Sequence, residues 1–172
     1  MNFAAHLGPG SPKGNPVVRA LHGDEHGWMR RTVRERWPHE LLVGRGRVHQ
    51  TSELSALIAV LDCERIGLLT YVIEGEVAEL VTLDAFRPGL GVGAMLIEGL
   101  AERASRAGAR RLVAMVTNDN VRGLRYYQRL GFHLEELRAG AMDELRARKP
   151  WIPEAGQDGI PVRDEIELVR DL

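Results

Sequence analysis

The chain has 172 residues, 44% of them hydrophobic, and a formal net charge of −1, which suits one globular domain with a full core. The near-neutral charge excludes a dedicated nucleic-acid binder, which would carry a basic excess. No apolar stretch approaches the ~20 residues of a membrane helix and no signal peptide is recognisable, so we expect a cytoplasmic protein with no membrane partner.

Residues 1–16 are rich in glycine and proline and predict a flexible N-terminal tail before a single domain over residues 17–172. A first strand is expected at 17–21. Asp24 is a good N-cap for a helix reaching Trp37, with Met29, Val33 and Trp37 forming its core stripe. Residues 41–44 are a short strand or an ordered loop. Three strands, over 56–61, 66–73 and 76–83, then predict an antiparallel meander.

A glycine-rich turn follows the third of these strands, and its residues are Gly89, Leu90, Gly91, Val92, Gly93 and Ala94. An amphipathic helix is predicted from residue 91 to 107, so the order is strand, turn, helix. Backbone N–H groups at a helix start lack internal partners and attract anions. The spacing fits neither the P-loop nor the dinucleotide fingerprint. The turn taken alone therefore leaves two interpretations open, a phosphate cradle and a glycine-rich loop without a ligand.

The rest of the chain predicts three further strands and a long connection. A dense apolar strand covers 111–117, Asn120 can cap a helix reaching residue 130, and strands follow at 132–137 and 165–170. In the last strand, Glu165 and Glu167 alternate with apolar residues, which is typical of a partly exposed strand. Residues 139–163 form a long insertion with a short helix at 141–148, and either a substrate-shaping or a dimer-contact role is open.

Two motifs resemble those of the GCN5-related N-acetyltransferases, the GNAT superfamily. Residues 120–132, Asn-Val-Arg-Gly-Leu-Arg-Tyr-Tyr-Gln-Arg-Leu-Gly-Phe, resemble the family signature Asn-x-x-Ala-x-x-aromatic-Tyr-x-x-x-Gly-Phe, with Gly123 in the alanine place. Gly91 and Gly93 match the coenzyme A motif Arg/Gln-x-x-Gly-x-Gly/Ala. Pro88 occupies the Arg/Gln position, which removes one N–H donor. The resemblance covers about residues 17–138.

The resemblance implies a fold and a cofactor. The fold is the α/β (α+β) GNAT fold, a mixed, mostly antiparallel sheet with flanking helices and a splayed central strand pair. The cofactor is acetyl-CoA, held by the turn residues given above, by backbone groups of Val81 and Leu83, and by Asn120. For Asn120, helix capping alone is the alternative.

Two catalytic residues are also implied. Glu79 shares a strand face with Val81. Among Val77, Val81 and Leu83 it would be partly desolvated, with a raised pKa suited to a general base; the alternatives are a glutamate that only orients the amine and an exposed one. The resemblance makes Tyr127 the general acid that protonates the leaving thiolate; the alternative is a core tyrosine with a satisfied hydroxyl. Tyr126 is expected to point elsewhere on the helix and to pack.

The expected activity is acetyl-CoA-dependent N-acetylation of a primary amine, on a small molecule or a protein N-terminus, by direct attack in a ternary complex. The alternatives are a non-catalytic acyl-CoA-binding or regulatory domain and an acyltransferase that uses a longer acyl-CoA. A homodimer is left open. His22 and His26 are spaced for a shared helix face, but no further ligand set accompanies them, so no metal site is expected.

Overall fold

The structure, a computed structural model, describes residues 14–37, 41–45 and 47–172, so most of the expected tail over residues 1–16 lies outside the described residues. The strands are β1 Val17–Ala20, β2 Leu41–Gly44, β3 Arg47–Gln50, β4 Ser55–Leu61, β5 Glu64–Glu74, β6 Val77–Ala85, β7 Arg111–Thr117, β8 His133–Arg138 and β9 Glu165–Asp171. The helices are α1 His26–Arg36, α2 Val92–Arg106, α3 Val121–Arg129 and α4 Ala141–Arg148.

Seven strands form one sheet in the order β1-β4-β5-β6-β7-β9-β8, and β2 pairs with β3 in a separate hairpin. Within the large sheet only β6 and β7 run parallel. The hydrophobic alternation of β4 to β6 and the glycine turns between them produce this meander. The mixed, mostly antiparallel sheet predicted from the sequence is confirmed.

The parallel pair separates after four residues. β6 pairs with β7 only from Val77 to Leu80, opposite Arg111 to Ala114. Immediately after this point Val81 is an extra residue in β6, because Thr82 pairs with Thr70 while Leu80 pairs with Tyr71. Such a bulge bends its strand and increases the local twist. The predicted splay of the central pair is therefore present, and it opens a cleft.

The core lies on both faces of the sheet. On one face α2 buries Leu96, Ile97 and Leu100 completely against the strands, as its apolar stripe predicts. On the other face α1 buries Met29 and Val33 against β4 and β5. The two large helices therefore flank the sheet and hold its bent central strands in place. No helix of the described residues is long and apolar enough to cross a membrane.

Three details differ from expectation. Asp24 does not cap α1, because it lies inside a single 3-10 turn, and Glu25 stands at the N-cap instead. Trp37 leaves the core stripe: the residue is 40% exposed, and its Nε1 donates a hydrogen bond to Asp84 at 2.9 Å. Strand β3 has no signal in the sequence, because its polar residues find their partners only in the folded chain.

Candidate functional site

A cleft of about 1010 Å³ opens where β6 and β7 separate. The first turn of α2 and one side of α3 form one wall, and the segment from α4 onward forms the other. The described residues that line it are Arg36, Trp37, Leu42, Leu80, Val81, Leu83, Ala85, Arg87, Pro88, Gly89, Gly91, Val92, Gly93, Ala94, Met115, Val116, Thr117, Asn120, Arg122, Gly123, Tyr126, Tyr127, Met142, Leu145, Lys149, Trp151, Ile152, Pro153 and Glu165.

The first turn of α2 faces this cleft with unpaired backbone donors. Gly91 precedes the helix with φ 67° and ψ 17°, a left-handed conformation that side chains disfavour. A Cβ built on Gly91 would meet no atom within 4 Å, so the space in front of the helix is open. The N–H groups of Val92, Gly93 and Ala94 have no intrahelical carbonyl to bind, and the helix dipole favours an anion there.

The predicted cradle therefore faces the cleft, with one exception. Gly89, Gly91, Val92, Gly93 and Ala94 all line it. Leu90 stands outside the described lining, and its side chain is 37% exposed. The turn thus directs its glycines inward and its leucine outward.

Gly93 is required by a neighbouring tyrosine. A Cβ on Gly93 would lie 2.3 Å from the hydroxyl oxygen of Tyr126, closer than any real contact. The Tyr126 hydroxyl thus rests against the start of α2 and borders the cleft. The expectation that Tyr126 packs elsewhere is wrong, because α3 turns both of its tyrosines toward the cleft.

Tyr127 is anchored in the core beneath the cleft. Its ring makes edge contacts with Phe132 at 5.4 Å and with Tyr126 at 5.7 Å between centroids. Burial, together with the charge of Tyr126, raises the pKa of the Tyr127 phenol well above its usual value. The phenol is therefore protonated at every pH at which the protein would work, and it can donate a proton or a hydrogen bond.

Asn120 caps α3 and also lines the cleft. Its Oδ1 accepts a hydrogen bond from the Gly123 N–H at 2.8 Å. A Cβ on Gly123 would lie 2.7 Å from Asn120 Nδ2, so the Asn120 side chain packs closely over Gly123. The capping function weighed for Asn120 in the sequence is present.

The bulge divides the two predicted backbone sites of β6 between opposite faces. Val81 packs against the α1-side core, whereas Leu83 packs against the α2-side core. Both residues line the cleft. Because a bulged residue leaves the regular ladder, backbone groups around Val81 are available to a ligand in the cleft.

Glu79 is buried on the α1 side of β6, with 7% of its surface exposed. Burial raises the pKa of the Glu79 carboxyl, and the charges of His49 and Arg45 oppose this rise. The Glu79 Oε2 lies 3.6 Å from His49 Nε2, and Glu79 Oε1 forms no hydrogen bond with any described residue. Glu79 therefore lies beside Val81 and the β2–β3 hairpin. It is not among the described residues that line the cleft.

Two further carboxylates lie on the same side of the sheet, and the sequence missed their burial. Glu165 and Glu167 of β9 are only 5% and 6% exposed, although their alternation indicated a partly exposed strand. The turn of the β2–β3 hairpin covers Glu167, whose Oε2 accepts a hydrogen bond from Arg45 Nε at 3.1 Å. Glu165 borders the cleft itself. No local pattern in the sequence could have shown the burial of Glu167, because Arg45 is 122 positions away.

Basic side chains stand at the cradle end of the cleft. Arg87, next to Pro88, lines the cleft and forms an ion pair with Glu64. Arg122 projects from the first turn of α3 and also lines the cleft. They add positive charge near the anion-binding turn.

The segment after α4 is ordered by a small number of polar contacts. Arg146 donates hydrogen bonds to the carbonyl oxygens of Ile152, Pro153 and Val162 at 2.6 to 3.2 Å. Asn118 Oδ1 accepts hydrogen bonds from the backbone of residues 163 and 164. These contacts hold Trp151 and Ile152 against the cleft.

Comparisons with known proteins agree with this geometry. The family model described as Acetyltransferase (GNAT) family matches residues 18–132. The Bacillus subtilis (strain 168) protein YdhI, itself uncharacterized, is 34% identical over 128 residues, which are 74% of this chain and 79% of YdhI.

Solved structures share the fold. A GNAT family acetyltransferase from Elizabethkingia anophelis, solved with acetyl-CoA bound, aligns with a TM-score of 0.67 at 17% identity over 93% of this chain and all of that one. An IAA acetyltransferase from Bacillus cereus ATCC 14579 aligns with a TM-score of 0.65 at 18% identity, over 92% of this chain and all of that one.

Proposed function

The chain belongs to the acetyltransferase (GNAT) family, and on that premise we propose that it moves the acetyl group of acetyl-CoA to a primary amine by direct attack in a ternary complex. The observation that carries the proposal is the cleft between the separated ends of β6 and β7, into which the first turn of α2 points. Such an arrangement brings an anion-binding helix start and free strand backbone into one cavity.

The residues present fit acetyl-CoA. Its pyrophosphate suits the N–H groups from Val92 to Ala94, and the open space before Gly91 allows close approach. Arg87 and Arg122 provide positive charge for its phosphates. This attraction compensates for the backbone N–H that Pro88 lacks. Its extended arm suits the free backbone near Val81 and Leu83, with Asn120 opposite. Acetyl-CoA is also the ligand of the Elizabethkingia anophelis protein of the same fold.

When bound, acetyl-CoA supplies an acetyl thioester whose C–S bond breaks as the new C–N bond to the amine forms. The chain contributes position and proton transfer. A backbone N–H near the Val81 bulge would donate to the thioester carbonyl oxygen and stabilise the charge that develops there.

Glu79 is assigned as the base, acting through water because it stands behind the cleft lining. Its raised pKa, caused by burial, brings the carboxylate nearer to the basicity that proton abstraction requires. The attacking nitrogen gives up one proton to Glu79, and that proton later leaves to solvent.

Tyr127 is assigned as the acid. Its phenol stays protonated because burial raises the pKa, and it lines the cleft. It donates a proton to the departing sulfur and is then reprotonated from water, so amine and acetyl-CoA yield amide and CoA.

Thermal unfolding with ligands tests the cofactor directly. A ligand present at one hundred times its Kd stabilises the native state by about 2.7 kcal/mol, a rise in Tm of roughly 2–4 °C for a chain of this size. We expect the rise with acetyl-CoA and with CoA, and none with ATP. An unchanged Tm with all three would remove the cofactor assignment. Release of CoA thiol in the presence of primary amines then measures transfer.

A further inference from the structure

Three buried carboxylates share one side of the sheet where the acceptor must approach. In register, Glu79 on β6 pairs with Val113 of β7, whereas Glu165 and Glu167 on β9 pair with Thr117 and Met115 of β7. β7 lies between β6 and β9. Successive residues of a strand alternate sides, so all three glutamates face the side opposite α2.

The β2–β3 hairpin lies over two of the three and forms a hydrogen bond with Glu167. Arg45 binds Glu167 at 3.1 Å, and His49 lies 3.6 Å from Glu79. Glu165 is different, because it pairs with Thr117, two residues further along β7 than Met115, the partner of Glu167. It therefore lies past the residues that contact the β2–β3 hairpin. Its charged neighbour on β8 is Arg138, whose Nη1 is 3.6 Å from Glu165 Oε2, too far for a good hydrogen bond.

Glu165 is also the one acidic side chain among the described residues that line the cleft. A carboxylate that is 5% exposed is costly unless cations or donors face it. Arg138 and Lys149 supply part of this compensation, and an acceptor ammonium in the cavity would add to it. Burial raises the pKa of the Glu165 carboxyl and the charge of Glu79 adds to this rise, whereas Arg138 and Lys149 oppose it.

We infer that Glu165 binds the acceptor: its carboxylate receives the ammonium group of the incoming amine and holds the nitrogen at the open end of the β6–β7 splay. This inference rests on the proposed function and names the acceptor's place within it. The nitrogen arrives as an ammonium and is held by Glu165. It loses one proton to Glu79 through water before attack, and Glu79 releases that proton to solvent. The second proton leaves by the same route as the C–N bond forms, so the product is a neutral amide.

The remaining lining indicates the class of amine. Met142, Leu145, Trp151 and Ile152 give the cleft that Glu165 borders an apolar surface, which suits an apolar body on the acceptor. A second ammonium on the acceptor would lose its hydration against this surface. The acceptor is therefore a primary amine with one positive charge and an apolar group.

The test uses the full chain and two probes, phenethylamine and 1,4-diaminobutane. In CoA-release assays at saturating acetyl-CoA, Glu165→Gln is expected to raise the KM for phenethylamine by about tenfold or more, with kcat within about threefold. Glu79→Gln is expected to lower kcat instead. Glu167→Gln is the matched control, on the same strand and equally buried, and should leave KM within about twofold. 1,4-Diaminobutane should be the poorer substrate.

Binding separates this inference from the proposed function. Isothermal titration of the CoA-loaded protein with phenethylamine should show a Kd at least about tenfold weaker in Glu165→Gln than in Glu167→Gln. If the wild-type protein transfers no acetyl group but the two variants differ in Kd in this way, the proposed activity fails and the inference stands. Equal affinity of the two variants, or equal KM, would overturn the inference. Should Glu165→Gln not fold, Glu165→Asp replaces it, with the same weakening expected.

Discussion

At the scale of single residues, the two adjacent tyrosines of α3 have different surroundings in the same cleft. Tyr126 presents its hydroxyl to Gly93 at the start of α2. Tyr127 is held more deeply, against Phe132, and burial raises its pKa far above the working range. A phenol that is protonated in the resting protein cannot act as a base, so the proton chemistry open to Tyr127 is donation.

Replacing Tyr127 with phenylalanine should therefore lower kcat without preventing cofactor binding. We expect a loss on the order of 100-fold in kcat, the usual contribution of a general acid, with the Kd for acetyl-CoA within about twofold. CoA release measures kcat, and isothermal titration measures the Kd for acetyl-CoA. Tyr71→Phe, which removes a hydroxyl from the α2-side core, is the control. Turnover of Tyr127→Phe within about threefold of the wild type would remove Tyr127 from the acid role.

At the scale of elements, the start of α2 combines a left-handed glycine with a row of free N–H groups. The β5–β6 turn has a comparable glycine: Gly75 has φ 58° and Gly91 has φ 67°, and a Cβ on either would meet nothing within 4 Å. The two positions therefore share the same backbone strain but only Gly91 faces the cleft.

Substitutions at Gly75 and Gly91 therefore distinguish the effect of backbone strain from the effect of contact with the ligand. Gly91→Val and Gly75→Val should each destabilise the fold by about 1–2 kcal/mol, the cost of a left-handed side chain. Only Gly91→Val should weaken acetyl-CoA binding, by about tenfold or more, because its side chain occupies the space in front of the helix start. Isothermal titration of both variants with acetyl-CoA measures this affinity. An unchanged affinity of Gly91→Val for acetyl-CoA would show that the phosphates bind elsewhere.

At the scale of the whole molecule, one buried charge connects three distant elements. Glu25, 4% exposed, accepts hydrogen bonds from Arg19 of β1 at 2.6 and 3.0 Å, from Arg65 of β5 at 3.0 Å and from the His22 N–H at 2.9 Å. Arg19, then the His22 N–H, then Arg65 hold the pKa of the Glu25 carboxyl well below its usual value. Arg65 also stacks over Trp28 at 4.8 Å.

Glu25→Gln should therefore destabilise the fold by about 2 kcal/mol at pH 7, a value reduced for the partial exposure of both arginines. Because the folded pKa is lowered, this stabilisation is present above the unfolded pKa of ~4.3 and is lost as pH falls below it. Urea unfolding should show a smaller difference in the free energy of unfolding between wild type and Glu25→Gln at pH 3.5 than at pH 7. An equal difference at the two pH values would contradict a stabilisation that comes from the Glu25 charge. The control is Glu102→Gln, in an exposed pair with Arg106, which should cost under about 1 kcal/mol.

The sequence predicted those parts of the fold in which neighbouring residues determine the outcome. The stripe of α2, the apolar run of β7 and the Asn120 cap of α3 are local patterns, and each is present. The β2–β3 hairpin and the burial of Glu165 and Glu167 are not local. Arg45 meets Glu167 across 122 positions, so no window of the sequence contains both partners. The strand, turn and helix around the glycines were therefore predictable, and the opposite wall was not.

The way the cleft is assembled has a consequence for its evolution. The cradle stands on α2 and the central strands, whose buried side chains form the α2-side core, so substitutions of those buried side chains would reduce stability. The opposite wall is supplied by residues 142–153 and is attached largely through Arg146 and its three carbonyl contacts. Selection can therefore exchange that wall and redirect the enzyme to a new amine while the inherited donor half stays intact.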